Sequence, residues 1–546
     1  MRVDVVIRGR ISTWDPQRPT ATAMAVHHGR VIAFDDEAEE LARDADTLED
    51  LGEGFVFPGF HDAHCHTTSF GLSLSQLDLS TPPITSLEQL YEAVERHAKA
   101  TPPGGWVIGV GYDQNKIGGR HPELSMLDMV GLGHPVWLKH TSGHMCVVNS
   151  AAGGMIERGL NQPIAGGKVA FDEQGKFTGL LEERAQSLIQ GIVLPQSIET
   201  LTRAIGDAHD RYLREGVTSV CDAGIAGGVV GQSPVELVAY QLAREEGLLR
   251  VRSTVMISAD ALQPVRGHRD DDLDGAIGLP TGLRTGVGDD WIRIGPTKVF
   301  SDGSLIGRTC WMEEGFDDEP TNTGYPQGDP DDLRRIIVGA HLAGWQVATH
   351  AIGDAAVRFA IDCYDEALSR KPRPDHRHRI EHCGITSQSS LHRLAQLGLV
   401  PVPQGRFVGE IGDGMLAAVG STRAAQTYRL QSFLQAGLTL PGSSDRPVVD
   451  GHPLLGIRDM VRRLTQSGAP FVTAEALTVE QAMRAYTEGS ARAEHSEKSR
   501  GALKQGQLAD FVVLGEDPRR VRVEEIGDVP VLATALGGRF AFRAPA

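Results

Sequence analysis

Two histidines, His64 and His66, follow an extended apolar run at 55–60. Side chains at positions i and i+2 of a β-strand point to the same side, so both imidazoles can reach one ion while Cys65 faces the opposite way. Neutral imidazole suits zinc and neighbouring divalent metals. Because the chain contains 20 histidines, such a pair also arises by chance, and the metal hypothesis requires further ligands.

Four later residues are suitable candidates. Lys298, His350, His382 and Asp445 each follow a mostly apolar, strand-like run. The carboxyl ends of the strands of an α/β barrel meet at one mouth, so these side chains are expected to converge with the histidine pair. Taken singly, each has an ordinary structural explanation, such as a hydrogen-bonded core histidine or an aspartate that caps a helix. Together they predict a metal site.

The elements that position these residues follow an α/β pattern, in which apolar runs alternate with helical stretches. Eight candidate strands lie at 55–64, 217–222, 251–258, 292–300, 346–350, 378–382, 399–404 and 438–443. Eight parallel strands predict a closed (β/α)8 barrel of the TIM type.

Both ends of the chain alternate apolar and polar residues, as strands do. These segments lie at 3–8, 11–14, 21–34, 506–514 and 529–542, with a turn at Gly29-Arg30. We therefore predict three units: a composite β-sandwich from 1–57 and 500–546, a barrel at 58–499, and a subdomain inserted after the first barrel strand at 70–205. The insertion contains strand-like runs at 104–112 and 135–140 and helical runs near 86–99 and 181–190, and it is expected to cover the barrel mouth.

Composition excludes several classes of function. The formal net charge of -18 disfavours nonspecific binding to nucleic acid or anionic membranes. The six cysteines occur singly, so neither a disulfide framework nor a cysteine-rich zinc module is indicated, and we expect buried, reduced thiols. No apolar run has the length of a signal peptide core or a membrane span, so a cytoplasmic location is expected.

The sequence resembles the amidohydrolase superfamily, specifically amidohydrolase family 3, in the branch of YtcJ-like and N-substituted formamide deformylase-like proteins. The resemblance spans nearly the whole chain. The segments that carry it are Pro58-Gly59-Phe60, His64-Cys65-His66, Gly143-His144-Met145, Val148-Asn149-Ser150, Lys298 with Ser301-Asp302-Gly303-Ser304, His350-Ala351-Ile352-Gly353-Asp354, Ile380-Glu381-His382, Ser444-Asp445 and Gly506-Gln507-Leu508-Ala509-Asp510.

The resemblance implies a divalent metal, with zinc as the first choice, held by residues at the ends of strands 1, 4, 5, 6 and 8. The implied ligands are His64, His66, Lys298, His350, His382 and Asp445. In related enzymes the lysine of strand 4 is carboxylated and bridges two ions, which is the role implied for Lys298. If Lys298 stays an amine, a single ion is expected, and one or both later histidines serve the substrate. Asp445 is the implied general acid and base.

Four residues are candidates for substrate binding. His144 and Asn149 are placed there by the resemblance, and a structural role is an equal alternative for each. Gln404 ends the seventh candidate strand and could donate a hydrogen bond. Arg446 departs from the small residue that many relatives carry, which suggests recognition of an anion, although a salt bridge to Asp302 or Asp354 is the simpler use.

The leading functional hypothesis is a metal-dependent amidohydrolase that cleaves a C–N bond in an amide, N-formyl group or cyclic amide. The same activated water could instead hydrolyse an ester or lactone, or deaminate a heterocycle. A non-enzymatic regulatory protein on an inherited barrel is the remote alternative. The expected partner is a small-molecule substrate, and relatives with this fold often form homodimers.

Overall fold

A parallel sheet of seven strands forms a nearly closed barrel in the computed structural model, which describes residues 2–545. Each strand pairs with the next in chain order. Their bounds are Phe60–Cys65, Val217–Ile225, Arg252–Ser258, Ile292–Phe300, Val347–Ala351, Arg379–His382 and Val400–Val402. Almost all of these residues are buried, as expected for a parallel sheet covered by helices.

The predicted eighth strand at 438–443 is wrong, because this segment forms no strand. Pro441 lacks the N–H that a ladder requires. The segment nevertheless closes the barrel through single hydrogen bonds: Ala63 N donates to Gly442 O at 2.9 Å, and Ser443 Oγ donates to Pro403 O at 3.0 Å. The first and seventh strands are therefore joined by an extended loop.

Helices surround the barrel and bury one apolar face each. Ile198–Arg214 is an example: Ser197 caps its start by accepting a hydrogen bond from Thr200 N, and Leu201 and Ile205 are buried. The others around the barrel are Thr67–Ser73, Leu237–Glu245, Pro330–Leu342, Asp354–Arg370, Gln388–Leu397, Gly405–Ala424, Leu430–Gln435, Pro453–Arg462, Val479–Arg484 and Ser490–Ala493.

Residues from both ends of the chain form one seven-stranded sheet. Its strands are Val3–Asp15, Arg18–His27, Arg30–Phe34, Ala45–Pro58, Phe511–Leu514, Val531–Leu536 and Arg539–Arg543. Ala45–Pro58 pairs in parallel with Val3–Asp15 and antiparallel with Phe511–Leu514. The helix Asp35–Leu41 packs beside this sheet.

Gly59 separates the terminal sheet from the barrel. The sequence predicted one strand at 55–64, but the structure contains two, which end and begin on either side of this glycine. A Cβ atom at Gly59 would lie 2.2 Å from Thr218 Oγ1 on the second barrel strand. Only glycine therefore allows the chain to pass this close as it enters the barrel.

The insertion is built on a six-stranded sheet. Its strands are Leu77–Asp78, Val107–Tyr112, Val136–His140, Met145–Val148, Gly167–Phe171 and Phe177–Glu183, and its helices are Leu87–Ala100, Leu124–Val130, Ser150–Met155, Glu157–Leu160 and Ser187–Val193. The helix predicted near 181–190 is wrong over its first residues, because Phe177–Glu183 pairs antiparallel with Met145–Val148. This long-range pairing overrides the local helical pattern.

No helix within residues 2–545 combines the length and apolar character needed to cross a membrane.

A buried ion pair joins the terminal sheet to the barrel. Arg252, on the third barrel strand, donates from Nε and Nη2 to the two carboxylate oxygens of Asp510 at 2.5 and 2.9 Å. Both side chains are almost fully buried. Removing one member of such a pair leaves an uncompensated charge in the interior.

We predict that Asp510→Ala lowers the free energy of unfolding by about 3–5 kcal/mol, because the guanidinium of Arg252 stays buried without its partner. Chemical denaturation followed by circular dichroism measures the change. Glu53→Ala is the control, since the Arg10–Glu53 pair lies on the surface and should contribute less than about 1 kcal/mol. Equal losses in the two variants would contradict the assignment.

Candidate metal centre

The end of the first barrel strand meets Asp445. His64 lies within the strand and His66 follows it, and Asp445 N donates to His64 O at 2.7 Å. Nε2 of His64 lies 3.2 Å from Asp445 Oδ1, and Nε2 of His66 lies 3.1 Å from the same oxygen. All three side chains are buried. Two imidazoles thus converge on one carboxylate oxygen.

His382 completes a compact group with His64 and Asp445, in which one potential ligand atom from each residue lies within 4.8 Å of the others. His350 lies beside it, with its ring centre 4.5 Å from that of His382. Lys298 lines the same cavity, and its Nζ lies 4.7 Å from the centre of the Phe300 ring. The structure therefore brings all six sequence-predicted ligands to one end of the barrel.

The unpartnered atoms of this group test whether it suits a metal ion. Among residues 2–545, buried His66 Nδ1 has no hydrogen-bond partner, and buried His64 Nε2 faces Asp445 Oδ1 without forming a hydrogen bond to it. On His64 the opposite nitrogen, Nδ1, binds the Glu381 carboxylate, and on His382 Nδ1 binds Gln404 Oε1 at 2.7 Å. Histidine ligands commonly donate one ring N–H to such a partner and bind metal through the other nitrogen. The donor set fits a divalent ion.

Glu381 orients His64 from inside the barrel. Its carboxylate accepts bonds from Arg379 Nε at 2.7 Å and Nη2 at 2.9 Å, and all three side chains are inaccessible to solvent. Burial raises the pKa of Glu381, but the charges of Arg379 and His64 outweigh it and hold that pKa well below its usual range. Glu381 therefore stays ionised and favours the proton on His64 Nδ1.

The backbone is strained at the centre. His382, Cys383 and Asp445 have φ values of 67°, 47° and 61°, a region that side chains other than glycine rarely adopt. Such residues cost on the order of 1 kcal/mol each and persist where the surrounding structure enforces them. Here the strain lies at two of the candidate ligands.

Burial and neighbouring charges set the protonation of the group. Burial lowers the pKa of His382 to about 3, so its imidazole is neutral. Burial also lowers the pKa of Lys298 to about 8, although Glu381 and Asp445 oppose this shift. Burial raises the pKa of Asp445, but the neighbouring His64 and His66 lower it more, so this pKa lies well below its usual range. Neutral imidazoles and an ionised carboxylate are the forms that bind metal.

The centre opens into a cavity of about 480 Å³ that the insertion closes on one side. His144 lies in this wall, and its Nδ1 bonds Glu183 Oε2 at 2.8 Å. Gln327 also donates to Glu183. Burial lowers the pKa of His144, but the Glu183 carboxylate raises it more, for a net increase. The His144 ring centre lies 5.0 Å from that of His350, so the insertion reaches the candidate ligands directly.

Two residues predicted to bind substrate are engaged elsewhere. Asn149 caps the helix Ser150–Met155, with Oδ1 accepting from Ala152 N and Val136 N and Nδ2 donating to His134 O. Gln404 accepts from His382 and donates to Val402 O and Ser443 Oγ. Neither is among the residues that line the cavity. In this structure Asn149 is a helix cap and Gln404 orients His382, while a part for either in substrate binding stays a prediction.

Arg446 lines the cavity, but its guanidinium is only 2% exposed. Nη1 lies 2.7 Å from Glu215 Oε2, and Nη2 lies 3.3 Å from Asp450 Oδ1. Its charge also lies over the Phe70 ring, 4.5 Å from the centre. The salt bridge predicted to Asp302 or Asp354 is thus wrong in its partners, and a guanidinium neutralised in this way is a poor receptor for a substrate anion.

The six cysteines are all buried and free. Cys65 Sγ approaches Thr67 Oγ1 and Cys221 O, and Cys383 Sγ lies 3.4 Å from Thr386 Oγ1. Burial raises the pKa of both thiols. Neither lines the cavity, in agreement with the alternation expected from the strand.

The sequence interpretation missed the residues that support the ligands. Glu381 was noted only within a motif, and Arg379 and Glu183 were not considered. A signal was present for the first two: charged residues at alternate positions of a buried strand lie on the same face and must find partners inside the barrel. No local pattern marks Glu183, which meets His144 only through the pairing of distant strands.

Comparison with known proteins identifies the family. Residues 47–542 match the model of Amidohydro_3, described as an amidohydrolase family. The chain belongs to this family. Membership in the amidohydrolase family makes the chain a hydrolase and confirms the resemblance seen in the sequence.

Individual relatives cover nearly the whole amidohydrolase chain. YtcJ of Bacillus subtilis is 30% identical over 505 residues, which is 90% of each chain. The N-substituted formamide deformylase of Arthrobacter pascens is 29% identical over 549 residues, or 98% of each chain. The crystal structure of an uncharacterized metal-dependent hydrolase from Pyrococcus horikoshii aligns with a TM-score of 0.74 at 25% identity, covering 95% of this chain and 99% of that one.

We predict that Asn149→Ala destabilises the protein by about 1–2 kcal/mol through loss of the helix cap, without weakening ligand binding in the cavity. Thermal or chemical unfolding measures the first effect, and titration with a cavity ligand measures the second. Asn161→Ala is the control, because Asn161 is exposed and should change stability by less than about 0.5 kcal/mol. Weaker ligand binding in folded Asn149→Ala would restore a substrate role for this residue.

Proposed function

We propose that this amidohydrolase is a metal-dependent enzyme that cleaves the C–N bond of an amide, N-formyl or cyclic amide substrate. The observation that carries the proposal is the buried group of His64, His382 and Asp445, whose ligand atoms lie within 4.8 Å of one another. The names of the relatives support it: one structure is that of a metal-dependent hydrolase, and one relative acts on N-substituted formamides.

His64, His66, His382 and Asp445 would hold the first ion, and nitrogen and carboxylate donors of this kind suit zinc. His350 and a carboxylated Lys298 would hold a second. A bound divalent ion supplies Lewis acidity, which lowers the pKa of water and polarises a carbonyl group. The protein supplies the remaining functions, which are orientation, proton transfer and a cavity of limited access.

Asp445 is the proposed general base and acid. Its carboxylate is buried and ionised between two imidazoles, so it can accept a proton from the attacking water. The same oxygen can then deliver that proton to the leaving nitrogen, because a C–N bond breaks readily only when nitrogen departs protonated. His144 faces the substrate in this arrangement. Glu183 occupies its Nδ1, which leaves Nε2 for a hydrogen bond to the substrate carbonyl.

The chemical state of Lys298 determines whether the centre holds one ion or two. An ammonium group repels a metal ion, whereas a carbamate offers two anionic oxygens. Only a neutral amine reacts with carbon dioxide, and burial brings the pKa of Lys298 to about 8, so a substantial neutral fraction exists near neutral pH. Among the described residues Lys298 has no ion pair within 4.0 Å, which leaves its Nζ free to be modified.

We predict that the purified enzyme contains one or two divalent ions per chain and that His64→Ala loses this metal, because the remaining donors no longer surround the ion. Inductively coupled plasma mass spectrometry measures the stoichiometry. Asp445→Ala should lower kcat/KM by at least ~100-fold on an N-formyl, amide or cyclic amide substrate. Asp36→Ala, on the exposed helix Asp35–Leu41, is the control and should retain both properties.

A metal-free wild-type enzyme, or full activity in Asp445→Ala, would contradict the proposed centre. Assays of esters and aminated rings in parallel with amides test which type of bond the enzyme cleaves. Faster turnover of these compounds than of any amide would keep the metal centre and overturn the assignment to C–N bonds.

We also predict that Lys298 carries a carbamate. Incubation with 13C-labelled bicarbonate should produce a carbamate resonance in the 13C NMR spectrum of the wild type, and Lys298→Arg should lose both this resonance and one metal ion. Lys139→Met is the matched control, because Lys139 is a second cavity lysine whose pKa burial lowers to about 8; it should keep the resonance. One ion per chain and no resonance in the wild type would instead show a mononuclear centre.

A further inference from the structure

The cavity wall formed by the insertion contains a cation without a carboxylate partner. Four basic side chains line the cavity: Lys139, Arg211, Lys298 and Arg446. Both arginines bind Glu215, and Lys298 belongs to the candidate metal centre. Lys139 lies on the strand Val136–His140 of the insertion, outside that centre, and among residues 2–545 it forms no ion pair within 4.0 Å. Among the described residues, its Nζ lies 3.5 Å from Gln76 Oε1 and 4.4 Å from the centre of the Trp137 ring.

The strand Val136–His140 aims Lys139 into the cavity. Trp137 and Lys139 lie two residues apart and share a face, while Leu138 packs in the core on the other side. The indole supports the ammonium from one side through a cation–π contact. Lys139 is one of the residues that line the cavity. Among the described residues no carboxylate accepts a hydrogen bond from its ammonium group, so donors remain for a ligand in the cavity.

A positive charge on Lys139 is costly, because its ammonium group loses water and no carboxylate among the described residues lies within 4.0 Å to replace it. Burial lowers the pKa of Lys139 to about 8, and the only neighbouring group that opposes the shift is the Cys146 thiol. Asp78 lies two strands away from Lys139 in the same sheet, because Asp78 pairs with Val110 and Val110 pairs with Lys139. The Asp78 carboxylate already accepts hydrogen bonds from Ser80 N and Oγ. A buried cation of this kind is stabilised when a ligand provides the missing anion.

We propose that Lys139 binds an anionic group of the substrate, so that the enzyme prefers amides or N-formyl compounds that carry a carboxylate away from the scissile bond. This inference rests on the proposed function, because it takes the cavity to be the substrate site. The apolar side chains of Phe70, Leu74, Trp137 and Val230 line the same cavity and suit a hydrocarbon or aromatic spacer. Arg446 is a weaker competitor for the anion, since it already pairs with Glu215 and Asp450.

A matched pair of substrates tests the preference. N-benzylformamide is neutral, and 4-(formamidomethyl)benzoate is the same compound with a distant carboxylate. The metal-loaded wild type should hydrolyse the carboxylate compound with a kcat/KM at least ~10-fold higher, as expected for one charge-assisted hydrogen bond. Lys139→Met should lose this preference mainly through a higher KM, and Lys139→Arg should keep part of it. Lys168→Met is the control, because Lys168 pairs with Glu182 on the exposed edge of the same sheet.

A binding measurement separates this inference from the proposed reaction. Calorimetric titration with 4-(acetamidomethyl)benzoate and its neutral carboxamide gives the anion preference without turnover. Tighter binding of the carboxylate to the wild type and to Lys168→Met, lost in Lys139→Met, supports the site even if neither formamide is hydrolysed; that result would overturn only the deformylase reaction. Equal binding of the two probes, or a preference that persists in folded Lys139→Met, overturns the role of Lys139 even if both formamides are hydrolysed.

Discussion

The buried carboxylate of Glu381 is the constraint on which the candidate metal centre depends. It holds His64 through Nδ1, and its charge is balanced by Arg379 on the same strand. Arg379 in turn donates to Ala63 O at 2.7 Å, which ties the sixth barrel strand to the first. Because an unbalanced charge in such an interior costs several kcal/mol, the three groups must be present together. The orientation of His64 is therefore a property of the barrel core.

The barrel and the insertion contribute different residues to the cavity. Strand ends of the barrel provide the candidate ligands and Asp445, whose positions are fixed by backbone hydrogen bonds and by strained φ values. The insertion provides His144 and Lys139 from a separate sheet. Its Glu183, which also has a positive φ of 52°, holds His144 against the barrel. Changes in the insertion sheet can thus alter which substrates fit while the reacting groups stay in place.

Sequence patterns predicted the barrel strands and the convergence of six side chains, because parallel strands bring their carboxyl ends to one mouth. The patterns failed where contacts between distant parts of the chain determine the secondary structure. Segment 438–443 is as apolar as a strand, but Pro441 and single hydrogen bonds make it a loop. Phe177–Glu183 is a strand only because Met145–Val148 lies beside it. The cap that Asn149 forms on Ala152 N is local, but Gln404 meets His382 and Arg446 meets Glu215 only through the fold, so no local spacing assigns the last two to orientation and ion pairing.

The terminal sheet has a consequence for how the protein is made. Ala45–Pro58 leads directly into the first barrel strand, yet its partner Phe511–Leu514 lies almost a whole chain away. During synthesis the N-terminal strands leave the ribosome long before the strands that cover their edge. An uncovered strand edge readily pairs with another chain, and contacts of such high sequence separation form slowly. Nascent chains and fragments that stop before residue 511 are therefore the species most exposed to aggregation and most dependent on chaperones.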